Sequence, residues 1–205
     1  MAIRVQSVES AGVAKTVREL LDDARACQVT DEAAARSMAQ QARVLARTLH
    51  DGPGEAEALF RLASIAYTSG QTDDAFALAL DARDLARKTG AAVVEAFALN
   101  VIGLVHQNAG NFTEALEYGL KALELYRMTD DRVAEGALLN SVATIHHELG
   151  DTDRAVSTYE AALNVSRASD QDGPNWHANH VLILINIAQV RSSRIRAGCS
   201  ATKSL

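Results

Sequence analysis

Six histidines are the side chains in this 205-residue sequence best suited to chemistry, and four of them come in close pairs, His146 with His147 and His177 with His180. Neighbours on a helix point about 100° apart, so His146 and His147 cannot grip one ion together. The run His146-His147-Glu148 lacks the HExxH spacing of a zinc site, and no cysteine is near. His177 and His180 stand three apart, a spacing that fits a ligand pair and chance alike. Cys27 and Cys199 are too few and too distant for a disulfide framework and read as reduced thiols of a cytoplasmic protein. There is no GxxxxGK phosphate loop, no GxSxG elbow and no glycine fingerprint for a dinucleotide. Ser200-Ala-Thr-Lys203 matches an SxxK string only in a tail without its fold. The chain is therefore expected to be no enzyme, with no metal and no cofactor.

The elements that position these residues are helices. The sequence holds 38 Ala, only 2 Pro and 4% aromatic residues, good helix formers with few strand formers, which implies an all-α protein packed backbone close to backbone. Net charge is −6, a poor fit to nucleic acid or anionic lipid. The basic residues Arg191, Arg194, Arg196 and Lys203 gather in a tail that reads as solvated. The opening MAIRVQSVES has no apolar signal core, and the run Val181 to Ile185 is far shorter than the ~20 residues of a membrane span. A soluble, cytoplasmic protein is expected.

Residues 51–90, 91–130 and 131–170, set under one another, agree in columns: Glu55/Glu95/Glu135, Leu59/Leu99/Leu139, Gly70/Gly110/Gly150, Ala75/Ala115/Ala155, Ala82/Ala122/Ala162 and Arg87/Arg127/Arg167. The period is 40 residues, and Ala35 and Ala42 place a degenerate copy before them. Each copy reads as two helices: apolar residues at spacings of three and four, a glycine to end the first helix, then a cap for the second. Asn111 with Glu114 and Thr16 with Glu19 have capping-box spacing. The expected organisation is a tail at 1–11, one solenoid over 12–197 with copies at about 12–50, 51–90, 91–130, 131–170 and a partial 176–197, and a flexible tail at 198–205.

These columns resemble the tetratricopeptide repeat, in its 40-residue-period variety. Leu99, Ile102, Gly103, His106, Gly110, Ala115 and Ala122 fall on that family's pattern, as do Leu139, Val142, Ala143, His146, Gly150, Ala155, Tyr159 and Ala162. The helix-B aromatic survives only as Tyr159, and the helix-A aromatic has become Ala66, His106 and His146. The resemblance implies an α-α superhelix, a right-handed solenoid of antiparallel helix pairs, with His106 and His146 in core positions. Small residues at 103 and 115 then let the two helices of a pair approach. The longer period is reminiscent of kinesin light chains and of bacterial regulators that sense peptides or partners.

The resemblance further implies a concave wall made by the first helix of each pair, binding a protein or peptide segment. Its positions are Glu57, Phe60, Ser64, Tyr67 and Thr68; Phe97, Asn100, Leu104, Gln107 and Asn108; Ala137, Asn140, Thr144, His147 and Glu148. Asn100 and Asn140 share a column, and a row of amides both donates to and accepts from a peptide backbone; the plain alternative is a solvated asparagine. Residues 95–109 and 135–149 contain no Lys or Arg, which disfavours a carboxylate clamp or a phosphate site. Phe60, Tyr67, Phe97 and Leu104 offer apolar pockets, or pack against the neighbouring copy.

The final first-type helix has no partner helix after it. Trp176, Val181, Leu182, Leu184, Ile185 and Ile187 would expose apolar surface, and so meet a missing domain, a second copy or a bound partner. A homodimer through this end is expected. The leading function is a non-catalytic peptide- or protein-binding module in bacterial signalling; the alternative is a self-assembling module with no peptide ligand.

Overall fold

The computed structural model describes residues 15–128, 132–168 and 176–201, and among these it contains nine helices and no strand. They are α1 Val17–Cys27, α2 Glu32–Thr48, α3 Gly52–Thr68, α4 Thr72–Thr89, α5 Ala92–Asn108, α6 Phe112–Tyr126, α7 Arg132–Glu148, α8 Thr152–Ala168 and α9 Trp176–Ala201. α9 continues as helix past residue 197, where its apolar pattern ends. The expected tail at 1–11 lies outside the described residues, as do the side chains of Trp176 and His177 and residues 202–205.

Side chains cap four of the described helix starts. Thr16 closes the capping box on α1: its hydroxyl accepts from the Glu19 N–H at 3.2 Å, and the Glu19 carboxylate accepts from the Thr16 N–H at 2.7 Å. Asp31, Asp51 and Asp151 each accept from a backbone N–H of the following turn, at 2.9, 2.9 and 3.1 Å. The capping box expected at Asn111 and Glu114 does not form, because the Asn111 side chain makes no cap bond, and neither does that of Gln71. Gly70, Gly110 and Gly150 end α3, α5 and α7 with φ of 74°, 78° and 80°, the left-handed conformation expected of that column.

The alanine columns explain the packing. Ala35, Ala75, Ala115 and Ala155 are completely buried, and so are Ala42, Ala82, Ala122 and Ala162. A Cβ on Gly103 would stand 3.3 Å from the Ala115 carbonyl, so the small residues at 103 and 115 do allow the close approach of α5 and α6. Each pair is clasped to the next by an ion pair across the joint: Arg47 with Glu55, Arg87 with Glu95 at 2.6 Å, and Arg127 with Glu135 at 3.9 Å. The sequence showed these as bare columns of Glu and Arg; only the fold shows that one serves the other.

α1 packs on α3, α3 on α5, and α7 on α9, whereas α2, α4, α6 and α8 pack on first-type helices rather than on one another. Helices that touch along one side and spread along the other curve the stack, and the touching set lines its inner wall. α5 and α7 are the exception, standing further apart than the other neighbours in that wall. Between them sits Tyr126, 1% exposed, at the column where other copies carry Ala46, Ala86 and Ser166.

Candidate binding wall

The wall is built from α3, α5 and α7, and its three segments differ in how many polar groups are already engaged. On α3 almost all are. The Phe60 ring is buried, stacked on Phe97 with centroids 4.9 Å apart, and Phe97 meets Tyr126 edge-on at 5.2 Å. The expectation that Phe60 lines an open pocket gives way: its ring is covered by the next copy. Arg61 lies over Phe60 at 5.3 Å and pairs through one terminal nitrogen with Glu57 at 3.1 Å, while its Nε is shielded from solvent without a partner. The Ser64 hydroxyl accepts from the Gln28 amide at 3.1 Å, tying α1 to α3. Thr68 donates back to the Ile65 carbonyl, and Tyr67 packs half-buried beside Ala66 and Val105.

On α5 the groups are open. Asn100, Leu104 and Gln107 are half-buried and Asn108 is exposed. Among the described residues Asn100 makes no side-chain hydrogen bond, although an amide carries two donors and an acceptor. No Lys or Arg stands on this helix.

On α7 the polar groups are partly engaged. The Asn140 side-chain oxygen accepts from the Asn186 amide of α9 at 2.9 Å, so the two asparagines of the column differ: one is free, the other braces the last helix. Thr144 donates to the Asn140 carbonyl at 3.0 Å and stands 2.9 Å from the Tyr159 hydroxyl. Burial pushes the Tyr159 phenol above its usual range, and the Thr144 bond opposes that rise. His147 is half-buried with Nδ1 shielded from solvent and unpartnered, and Glu148 is exposed.

Three other histidines, His106, His146 and His180, are held against neighbouring helices. His106 is stacked on Tyr118 at 5.3 Å with Phe76 edge-on at 5.6 Å, the core position that the resemblance implied. His146 is buried, and burial pushes its imidazole below the usual value. His180 is held to Ser166 at 3.1 Å. No group of three or more His, Cys, Asp or Glu among the described residues could hold a metal ion. No described helix is long and apolar enough to cross a membrane.

A curved stack of helix pairs with an alanine-packed interior and an amide-bearing inner wall defines an α-α solenoid of the tetratricopeptide type. Residues 94–168 match the model of the tetratricopeptide repeat family, so α5 to α8 are repeats of that family, and the whole described chain has its fold. Three solved structures share that fold. BtubC (BKLC) from P. vanneervenii is 19% identical with a TM-score of 0.65, over 90% of this chain and 89% of that one. A Rap protein complexed with Competence and Sporulation Factor is 16% identical with a TM-score of 0.72, over 91% of this chain and 51% of that one. A Podosopora anserina protein described as a kinesin light chain with nearly identical TPR-like repeats is 18% identical with a TM-score of 0.62, over 89% and 90%. This chain spans about half the length of the Rap protein. No curated protein matches the sequence.

Proposed function

We propose that the chain is a non-catalytic binding module whose concave wall takes an extended peptide or protein segment, in a bacterial regulatory or scaffolding role in the cytoplasm. The observation that carries this reading is the unengaged amide of Asn100 on α5, half-buried between Phe97 and Leu104 and facing no cation of its own helix. A half-buried amide without a partner is an incomplete site, and a passing peptide bond completes it with one N–H and one C=O. Leu104 supplies an apolar contact one turn on, and Gln107 and Asn108 extend the polar row. A Rap protein of the same fold is complexed with Competence and Sporulation Factor, which supports a bound factor as the use of such a wall.

The test is affinity for peptides selected on the purified chain from a displayed library. Asn100→Ala should weaken the selected peptides at least about fivefold while leaving the melting temperature unchanged, since each net hydrogen bond is worth about 1 kcal/mol. Replacing one peptide amide by N-methyl should cost a similar factor. Binding indifferent to Asn100→Ala and to a Gln107→Ala companion would overturn the reading. Asn140→Ala is the wrong probe, because it also removes the brace to Asn186.

A further inference from the structure

α9 buries Ile183, Ile187 and Val190 in the core it shares with α7 and α8. Ile187, expected from the sequence among the exposed contact residues, is only 6% exposed and belongs to that core. The opposite side lies open among the described residues: Val181 is 52% exposed, Leu182 47%, Leu184 43% and Ile185 51%. At about 100° per residue, the centre line of this open side runs through Val181, Ile185, Ala188 and Ser192, all exposed. Their spacing of four, three and four is that of a coiled-coil seam.

We propose that this seam pairs with the same seam of a second copy of the chain, antiparallel, about a two-fold axis between Ile185 and Ala188. Three features select that occupant and that direction. First, reversal sets Val181 opposite Ser192 and Ile185 opposite Ala188, large against small along the whole seam; a parallel pair would set Ile185 on Ile185 and leave a gap at Ser192. Second, α1 is a poor match for this face. α1 turns Arg18, Glu19, Asp22 and Arg25 outward, and a head-to-tail contact would bury those charges against valine and isoleucine. Third, the one ion pair at the rim among the described residues, Arg191 with Glu160 at 2.8 Å, is matched within the chain and asks for no charged partner. The four large side chains expose roughly 300 Å² of apolar surface; doubled across the axis and joined by the flanking residues, that reaches the ~1,000 Å² of a specific interface. The contact is isologous and closes at two chains. It leaves the open part of α5 accessible and does not depend on the peptide reading.

Sedimentation equilibrium of the 205-residue chain at micromolar concentration should return twice its mass of 21.9 kDa. Val181→Glu with Ile185→Glu should raise the dissociation constant at least about a hundredfold with helicity unchanged, because both side chains already face solvent. Direction is read by cross-linking in a Cys27→Ser, Cys199→Ser background. Val181→Cys chains mixed with Ser192→Cys chains should link, and neither should link to itself. A monomer at high micromolar concentration, a dimer indifferent to the two glutamates, or a Val181→Cys chain that links to its own copy would each overturn the proposal.

Discussion

The two halves of the solenoid are joined differently. Where α2 meets α3 and α4 meets α5, the contact residues on the second-type helix are Ala39, Ala46, Ala79 and Ala86, all completely buried. Where α6 meets α7 and α8 meets α9, the same columns hold Gly119, Tyr126, Tyr159 and Ser166. Alanine joints bring neighbouring backbones together, so α1, α3 and α5 form a continuous wall, and on its α1 and α3 part polar groups pair with one another. At the joint that holds the buried Tyr126, α5 and α7 do not pack on one another, whereas α7 and α9 do, with Tyr159 buried at theirs. The unengaged Asn100 is on α5, one of the two helices that part there. The inner wall thus parts at the Tyr126 joint alone among the described ones.

The largest effects should come from exchanging the joints. Tyr126→Ala removes a ring that is 1% exposed and packed on Phe97, and should cost about 3–5 kcal/mol by chemical denaturation. Ala86→Leu, adding bulk where a side chain is completely buried, should cost about 1–3 kcal/mol. Hydrogen exchange locates the damage: Tyr126→Ala should loosen α6 and α7 first and Ala86→Leu α4 and α5, because repeats feel only their neighbours. A uniform rise across all helices in both variants would mean that the halves are not separate joints but one core.

Two glycines sharpen the same comparison within pairs. A Cβ at Gly103 would meet the Ala115 carbonyl at 3.3 Å, tighter than ordinary contact and against rigid backbone; at Gly136 the nearest atom is the Ala162 carbonyl at 3.6 Å, ordinary contact. Alanine gains up to about 1 kcal/mol over glycine inside a helix. Gly136→Ala should therefore raise stability by up to that amount, whereas at Gly103 the clash should offset the gain and leave stability unchanged or lower. Paired denaturant titrations read the difference directly, and equal gains at both sites would show that α5 and α6 have slack.

Much of this was legible in the sequence because repetition marks it. The columns 35/75/115/155 and 42/82/122/162 announced the buried contacts, and the glycine column announced the left-handed turns. What the columns hid were departures from them. Tyr126 stands where the other copies have Ala or Ser, so no column points to it, yet it is buried at the joint where the first-type helices do not pack on one another. Phe60 looked available because its position faces the wall, but the Phe97 ring one repeat on covers it, a contact between residues 37 apart that no local pattern encodes. Asn100 and Asn140 read as equals, and only the docking of α9 through Asn186 distinguishes them.

The smallest expected effect separates the halves by pH. At the core position of the first-type helix the second copy carries Ala66 and the fourth carries His146, which is buried. Burial disfavours the imidazolium and lowers the His146 pKa from its usual 6.5; Asp151 pulls it up and Arg154 pushes it down again. Because the folded value lies below the unfolded one, the unfolded chain takes up the proton first. This contribution to stability is complete above about pH 6.5 and is lost as pH falls from there through the folded pKa. Denaturant midpoints measured from pH 7.5 to 5 should fall more steeply for the native chain than for His146→Phe, and the excess should appear in hydrogen exchange of α7 and α8 while α3 and α4 stay protected. An equal slope in His146→Phe would assign the acid sensitivity to carboxylates shared by both halves, and the two would then differ in packing alone.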